Sequence, residues 1–74
     1  MPQRRSDAAE RDYRQAIVLD EFDPRGHFGL AAILEAQGHV SEALAEYRAG
    51  LNVDPLNHEA QAAVKRITAI SPAR

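Results

Sequence analysis

The chain has 74 residues, 45% of them apolar and 27% charged, with a formal net charge of -2 and no cysteine. This length supports one small domain, which buries only roughly 60% of the surface its unfolded chain exposes, and the composition is that of a folding chain rather than a disordered one. Acids and bases are mixed, so there is no electrostatic footprint for nucleic acid or an anionic membrane, and the missing cysteines exclude disulfides, thiolate metal sites and thiol catalysis.

The N-terminal stretch Met1 to Ser6 reads as a solvated tail. Arg4-Arg5 does not open an export signal, because Asp7, Glu10, Arg11 and Asp12 occupy the place where an apolar segment would have to follow. No apolar run approaches the roughly 20 residues needed to span a bilayer. The expectation is a cytoplasmic protein with no membrane partner.

Asp7 with Glu10 three residues later has capping-box spacing and predicts a first helix from about Ala8 to Asp20. Its apolar stripe is Ala9, Tyr13, Ala16, Ile17 and Leu19. Phe22, in the connection that follows, is placed to fold back over the helix end. Asp23-Pro24 predicts the next start, since the carboxylate can cap free amides and Pro24 sits where a missing N–H is harmless. The second helix is expected over Arg25 to Gln37. His27, Leu30, Ala31 and Leu34 share one face, with Gly26 and Ile33 at its edge, and Arg25, Phe28, Ala32, Glu35 and Ala36 share the other. Gly38 follows as a C′ cap in the left-handed region.

Ser41 and Glu42 are expected to open the third helix, with Val40, Ala43, Leu44, Tyr47, Leu51 and Val53 as its stripe. Gly50 inside that helix is unfavourable by about 1 kcal/mol relative to Ala, which points to a close neighbour there. Asp54-Pro55 ends the helix. Asn57 can cap a fourth helix, His58 to about Ile70, that turns Ala60, Ala63, Val64 and Ile67 inward, and Ser71-Pro72 stops it. Strand-like alternation is missing throughout, so the fold class is all-α with short connections and antiparallel neighbours.

Shifting the chain by 34 residues superimposes Ala9 on Ala43, Tyr13 on Tyr47, Arg14 on Arg48, Asp20 on Asp54 and Ile33 on Ile67. Within one such period stand His27-x2-Leu30-Ala31-x2-Leu34, then Ala43-x3-Tyr47, then Gly50 and Pro55. This spacing resembles the tetratricopeptide repeat, whose pattern is Trp-x2-Leu-Gly-x2-Tyr, then Ala-x3-Phe, then Pro. His27 replaces the family's Trp, Ala31 its Gly and Leu34 its Tyr.

The resemblance implies a right-handed α-solenoid fragment of four helices in one domain over 7–70. Residues 7–23 are the second helix of a partial repeat, 24–57 a full repeat and 58–70 a C-terminal capping helix, between tails at 1–6 and 71–74. Leu30, Ala31, Leu34, Ala43, Tyr47, Gly50 and Pro55 are then the structural positions of the repeat. It further implies a concave surface that holds a peptide or helix of another protein. The positions are Arg25, Phe28, Ala32, Glu35 and Ala36 on the second helix, continued by Glu59, Ala62, Arg66, Ala69 and Ile70 on the fourth. Phe28 beside small alanines could accept an apolar side chain, and Arg25 and Arg66 could pair with a carboxylate.

A second reading comes from the ends. About three repeats are usually needed to bury a repeat's apolar face, and the first helix lacks the partner against which Ala9, Tyr13 and Ala16 would pack. The expectation is self-association into a homo-oligomer through those residues. A non-catalytic regulator associated with nucleic acid is a third reading, which would require a basic stripe. Neither an enzyme nor a cofactor protein is expected. His27, His39 and His58 do not fall one helical turn apart, so no metal site is expected, and Gly26-x2-Gly29 has no Lys and Ser/Thr at phosphate-loop offsets.

Overall fold

A computed structural model describes the backbone of residues 3–70 and the side chains of 7–69. It is all-α, with four helices: α1 (Gln3–Leu19), α2 (Pro24–Ala36), α3 (Val40–Val53) and α4 (His58–Ile70). Every described segment outside them is a short turn.

Three of the helix boundaries follow the expected chemistry. Asp23 caps α2, its Oδ1 accepting the Arg25 backbone N–H at 3.0 Å, with Pro24 in the first helical position. Gly38, at φ 87°, closes the far end. The Gly38 N–H donates to Glu35 O at 3.0 Å and the His39 N–H to Leu34 O at 2.8 Å, the two bonds of a Schellman motif. Asn57 caps α4 through Oδ1, which accepts the Ala60 N–H at 2.9 Å.

Two starts differ from expectation. The first helix begins at Gln3, so residues 3–6 are not a tail and Asp7 lies within the helix instead of capping it. Nothing between Gln3 and Asp7 breaks a helix, and Gln and Arg are good helix formers, so backbone bonding continues through them. The third helix begins at Val40 with His39 as N-cap and no side-chain cap, so Ser41 does not start it. The Schellman closure leaves His39 already placed, and its carbonyl accepts the Ala43 N–H at 2.9 Å.

The corner after α1 and the corner after α3 repeat each other at an offset of 34 residues. Asp20 N–H donates to Ala16 O at 2.9 Å, as Asp54 N–H does to Gly50 O at 2.8 Å. Asp23 N–H donates to Asp20 O at 3.1 Å, as Asn57 N–H does to Asp54 O at 3.3 Å. The apolar residue in each corner, Phe22 or Leu56, faces solvent, so Phe22 does not fold back over α1. Its backbone N–H donates instead to the Asp20 carboxylate at 3.1 Å, which turns the chain outward there.

The core is Leu30, Ala31, Leu34, Ala43, Tyr47, Ala60, Ala63 and Ile67, with Ile17, Phe28, Leu44, Leu51 and Val64 packed against it. Half of the core residues are alanines, so the helices meet at short range. The repeat positions Leu30, Ala31, Leu34, Ala43, Tyr47 and Gly50 are all buried, while Pro55 is exposed at its corner. At the α1–α2 crossing, a Cβ on Gly26 would stand 2.9 Å from Ile17 Cγ1, and one on Gly29 would overlap the Tyr13 ring. The pairs Ile17–Gly26 and Tyr13–Gly29 are nested about the corner, as antiparallel packing requires. Leu19 is exposed instead, and Val40 and Val53 lie at the rim of α3.

Substantial packing joins α1 to α2, α2 to α3 and α3 to α4, and no other helix pair packs extensively among the described residues. The helices therefore form an open row, 31 × 30 × 19 Å, with α1 and α4 as its outer members. At the central crossing Gly50 is closely covered, and an added Cβ there would overlap the Phe28 ring. Gly50→Ala should therefore lower the melting temperature despite alanine's better helix propensity. In a Phe28→Ala background the same change should stabilise by about 1 kcal/mol, and thermal melts of the four variants followed by circular dichroism check the reversal of sign.

Candidate functional site

Helices α2 and α4 do not pack extensively on each other, and the gap between them is a groove floored by α3. Its volume is about 220 Å³, and it is lined by Phe28 and Ala32 from α2, Tyr47 from α3, and Asn57, Glu59, Ala60, Ala63 and Arg66 from α4 and its cap. The lining follows from local sequence. Alanine recurs at positions 60 and 63 one helical turn apart, so one face of α4 is a smooth backbone strip. Against it Tyr47 lies 8% exposed, with its hydroxyl directed towards α2.

That hydroxyl donates to Glu35 Oε1 at 3.0 Å. Arg66 Nη2 donates to the other oxygen, Glu35 Oε2, at 2.5 Å. One carboxylate on α2 thus receives a phenol from α3 and a guanidinium from α4, and the three helices are tied together beside the groove. The Arg66 hydrogen bond holds the Glu35 carboxyl below the usual carboxylate range; the Tyr47 hydroxyl adds to this and partial burial opposes it. Burial, then the hydrogen bond to Glu35 and its charge, push the Tyr47 phenol up. Glu35 in turn raises Arg66. At neutral pH the trio is a carboxylate, a neutral phenol and a guanidinium, an arrangement that holds position and presents charge without releasing a proton.

Of the residues expected on the binding surface, Phe28, Ala32, Glu59 and Arg66 come together in this groove, and Glu35 stands beside it, bonded to Arg66. Arg25 is exposed but engaged locally, with Nη2 2.6 Å from Asp23 Oδ2. That side chain, together with the Arg25 backbone N–H, brings the Asp23 carboxyl down to about 2. Ala36 and Ala69 are exposed and do not line the groove. Ala62 lines a different groove, between α3 and α4. The side chain of Ile70 lies outside the described residues.

Phe28 is not a freely exposed anchor. It is half-buried over Gly50, so one face of the ring is used internally and only the rest borders the groove. Both arginines expected to await a ligand carboxylate already have partners in the chain. The sequence reading missed Asn57, Ala60, Ala63 and Tyr47 as lining residues, having assigned the last three to the core. The available signal was the pairing of a long aromatic on one helix with an i, i+3 alanine pair on the next.

On α1, Ala9 is half-buried and Tyr13 is seated on Gly29 of α2, while Ala16 is exposed. Tyr13 is 37% exposed, so part of its ring contacts α2 and the rest stays open beside Ala9 and Ala16. Glu10 is also engaged: Arg14 holds its carboxyl below the usual range, and the Gln37 side-chain amide, donating at 3.1 Å, adds to this. His27 is half-buried, its Nδ1 2.8 Å from Glu46 Oε1 on α3, which accounts for a polar residue where the resembled pattern has an aromatic. His39 and His58 are exposed. No described helix is long and apolar enough to cross a membrane.

Comparison with protein-family models, with characterised proteins and with solved structures returned no match for this chain.

Glu10, Asp23 and Glu35 all have carboxyls depressed in the folded state. Each therefore contributes stability that is present above its unfolded value and lost as pH falls through its folded one. Stability should decline on acidification below about pH 4.5. A Glu35→Gln chain, less stable at neutral pH, should lose less across that same window; urea midpoints at about pH 7 and pH 3.5 read the difference.

Proposed function

We propose that this chain is a protein-interaction module of the tetratricopeptide type that takes a short peptide segment of another protein in the groove between α2 and α4. The observation that carries the reading is the form of that groove: a floor of Ala60, Ala63 and Tyr47, one aromatic wall at Phe28, and a guanidinium at its edge. The small, exposed Ala32 leaves room for an apolar side chain to enter against the exposed part of the Phe28 ring. Arg66 is about half exposed and uses Nη2 on Glu35. A guanidinium has five N–H donors, so the others can meet a carbonyl or carboxylate of the bound segment while Glu35 keeps the fork in place. Arg66 is about half exposed and Glu35 about a quarter exposed, so solvent screening limits what the pair adds to stability; its contribution in this reading is also orientation.

The open row of helices and the two matching corners support the same reading, because a helix pair that recurs at 34 residues stacks sideways and leaves the gap between alternate helices accessible. The bound segment is expected to offer one apolar side chain and an acceptor group that Arg66 can meet. One subclass of the resembled family holds a terminal carboxylate with asparagines; Ala32 and Gly29 stand at the corresponding places here, so that mode of binding is not expected.

Phe28→Ala is a poor probe, as it removes packing over Gly50 as well as the groove wall. Ala32 is exposed and lines the mouth, so Ala32→Glu obstructs the groove without touching the core. Peptides selected on the wild-type chain from a random display library should bind Ala32→Glu at least about tenfold more weakly, a loss of about 1.4 kcal/mol, at unchanged helicity. Selected peptides that bind both chains equally well would place recognition elsewhere.

A further inference from the structure

The outer side of α3 and α4 carries a second groove, of about 510 Å³, that shares no lining residue with the first. Its lining includes Leu51 of α3 and His58, Gln61, Ala62, Val64, Lys65 and Thr68 of α4. Subtracting 34 from the α4 numbers after His58 gives His27, Phe28, Leu30, Ala31 and Leu34 of α2. These belong to the surface that α3 packs on. His27 meets Glu46 of α3, Phe28 sits on Gly50 of α3, and Leu30, Ala31 and Leu34 are 0–2% exposed in the core they share with Ala43. The empty groove is therefore the seat for a helix of α3 type, one period further along.

The chain contains a second helix of that type. At the places of Ala43, Glu46 and Gly50, α1 has Ala9, Asp12 and Ala16. Asp12 and Ala16 are exposed, and among the described residues α2 is the only helix that packs substantially on α1. We infer that the α3–α4 groove of one molecule receives α1 of a second copy, head to tail, so that α4 and the incoming α1 reproduce the crossing of α2 with α3.

Charge supports a second copy over an arbitrary helix. Lys65 occupies the position at which Ala31 is fully buried, so any helix laid there must provide a carboxylate for the ammonium group. Asp12 stands at the Glu46 position, about one helical turn from the residue opposite, within reach of a lysine side chain. Size is matched too. The Phe28–Gly50 contact becomes Ala62–Ala16, small against small, which allows close approach of the two backbones. The two surfaces differ and neither complements itself, so the contact is heterologous and propagates instead of closing as a two-fold dimer. This does not depend on peptide binding in the α2–α4 groove.

Ala16 and Ala62 are both exposed in the monomer, so Ala16→Glu and Ala62→Glu each block one end without disturbing the fold. In sedimentation equilibrium, the wild-type chain should show an average mass that rises with concentration past two chains, at roughly 0.1 to 1 mM. Each variant alone should remain a monomer with wild-type helicity. An equimolar mixture of the two should form a species of two chains and go no further, because only one pair of intact ends remains. A wild-type chain that stays monomeric at about 1 mM would overturn the inference. So would a mixture that stays monomeric while wild type associates, and so would association that both substitutions leave unchanged.

Discussion

Large side chains seated on bare backbone hold this molecule together. Tyr13 lies over Gly29, Ile17 over Gly26, Phe28 over Gly50, and Tyr47 beside the alanine strip of Ala60 and Ala63. In each case one helix brings the bulk and its neighbour removes its own, so two helices approach closely while the ring or branched chain fills the space between them. With two phenylalanines, two tyrosines and no tryptophan, the chain adds few aromatic seats to a core that is otherwise leucine, isoleucine and alanine. Glycine inside α2 and α3 lowers helix propensity, and the packing it permits offsets that loss.

The same economy shapes the groove. Ala60 and Ala63 are themselves buried, but being small they fill little of the space between α2 and α4, and a concave surface remains there. Polar groups then set its edge. Tyr47 is deep enough that its hydroxyl needs an acceptor, Glu35 provides one, and Arg66 completes the charge. The link is one chain of dependence, from the packing of an aromatic, through satisfaction of its hydroxyl, to the orientation of a guanidinium at the mouth.

Much of the architecture was legible in the residues because it rests on local chemistry. The caps at Asp23 and Asn57 and the left-handed turn at Gly38 each follow from one residue and its immediate neighbours, a glycine inside α3 at position 50 announces a close neighbour without naming it, and the buried faces of α2 and α4 follow from helical spacing. The start of α1 was not legible, because Asp7 and Glu10 have capping-box spacing but nothing upstream obliges the helix to begin there. Ser41 failed for a related reason: the Schellman turn had already placed the helix start beside it.

The candidate site divides along the same line. Helical spacing alone determined which residues share a face of α2, and the 34-residue offset determined which positions on α4 correspond to them. Only the tertiary structure decided that Phe28 leans onto Gly50, that Arg66 reaches Glu35 and that Ala62 belongs to the outer groove. A helical wheel gives each side chain a direction about its own axis. Contact depends also on how closely the neighbouring axis approaches and at what height, and here that distance is set by glycines and alanines on the other helix.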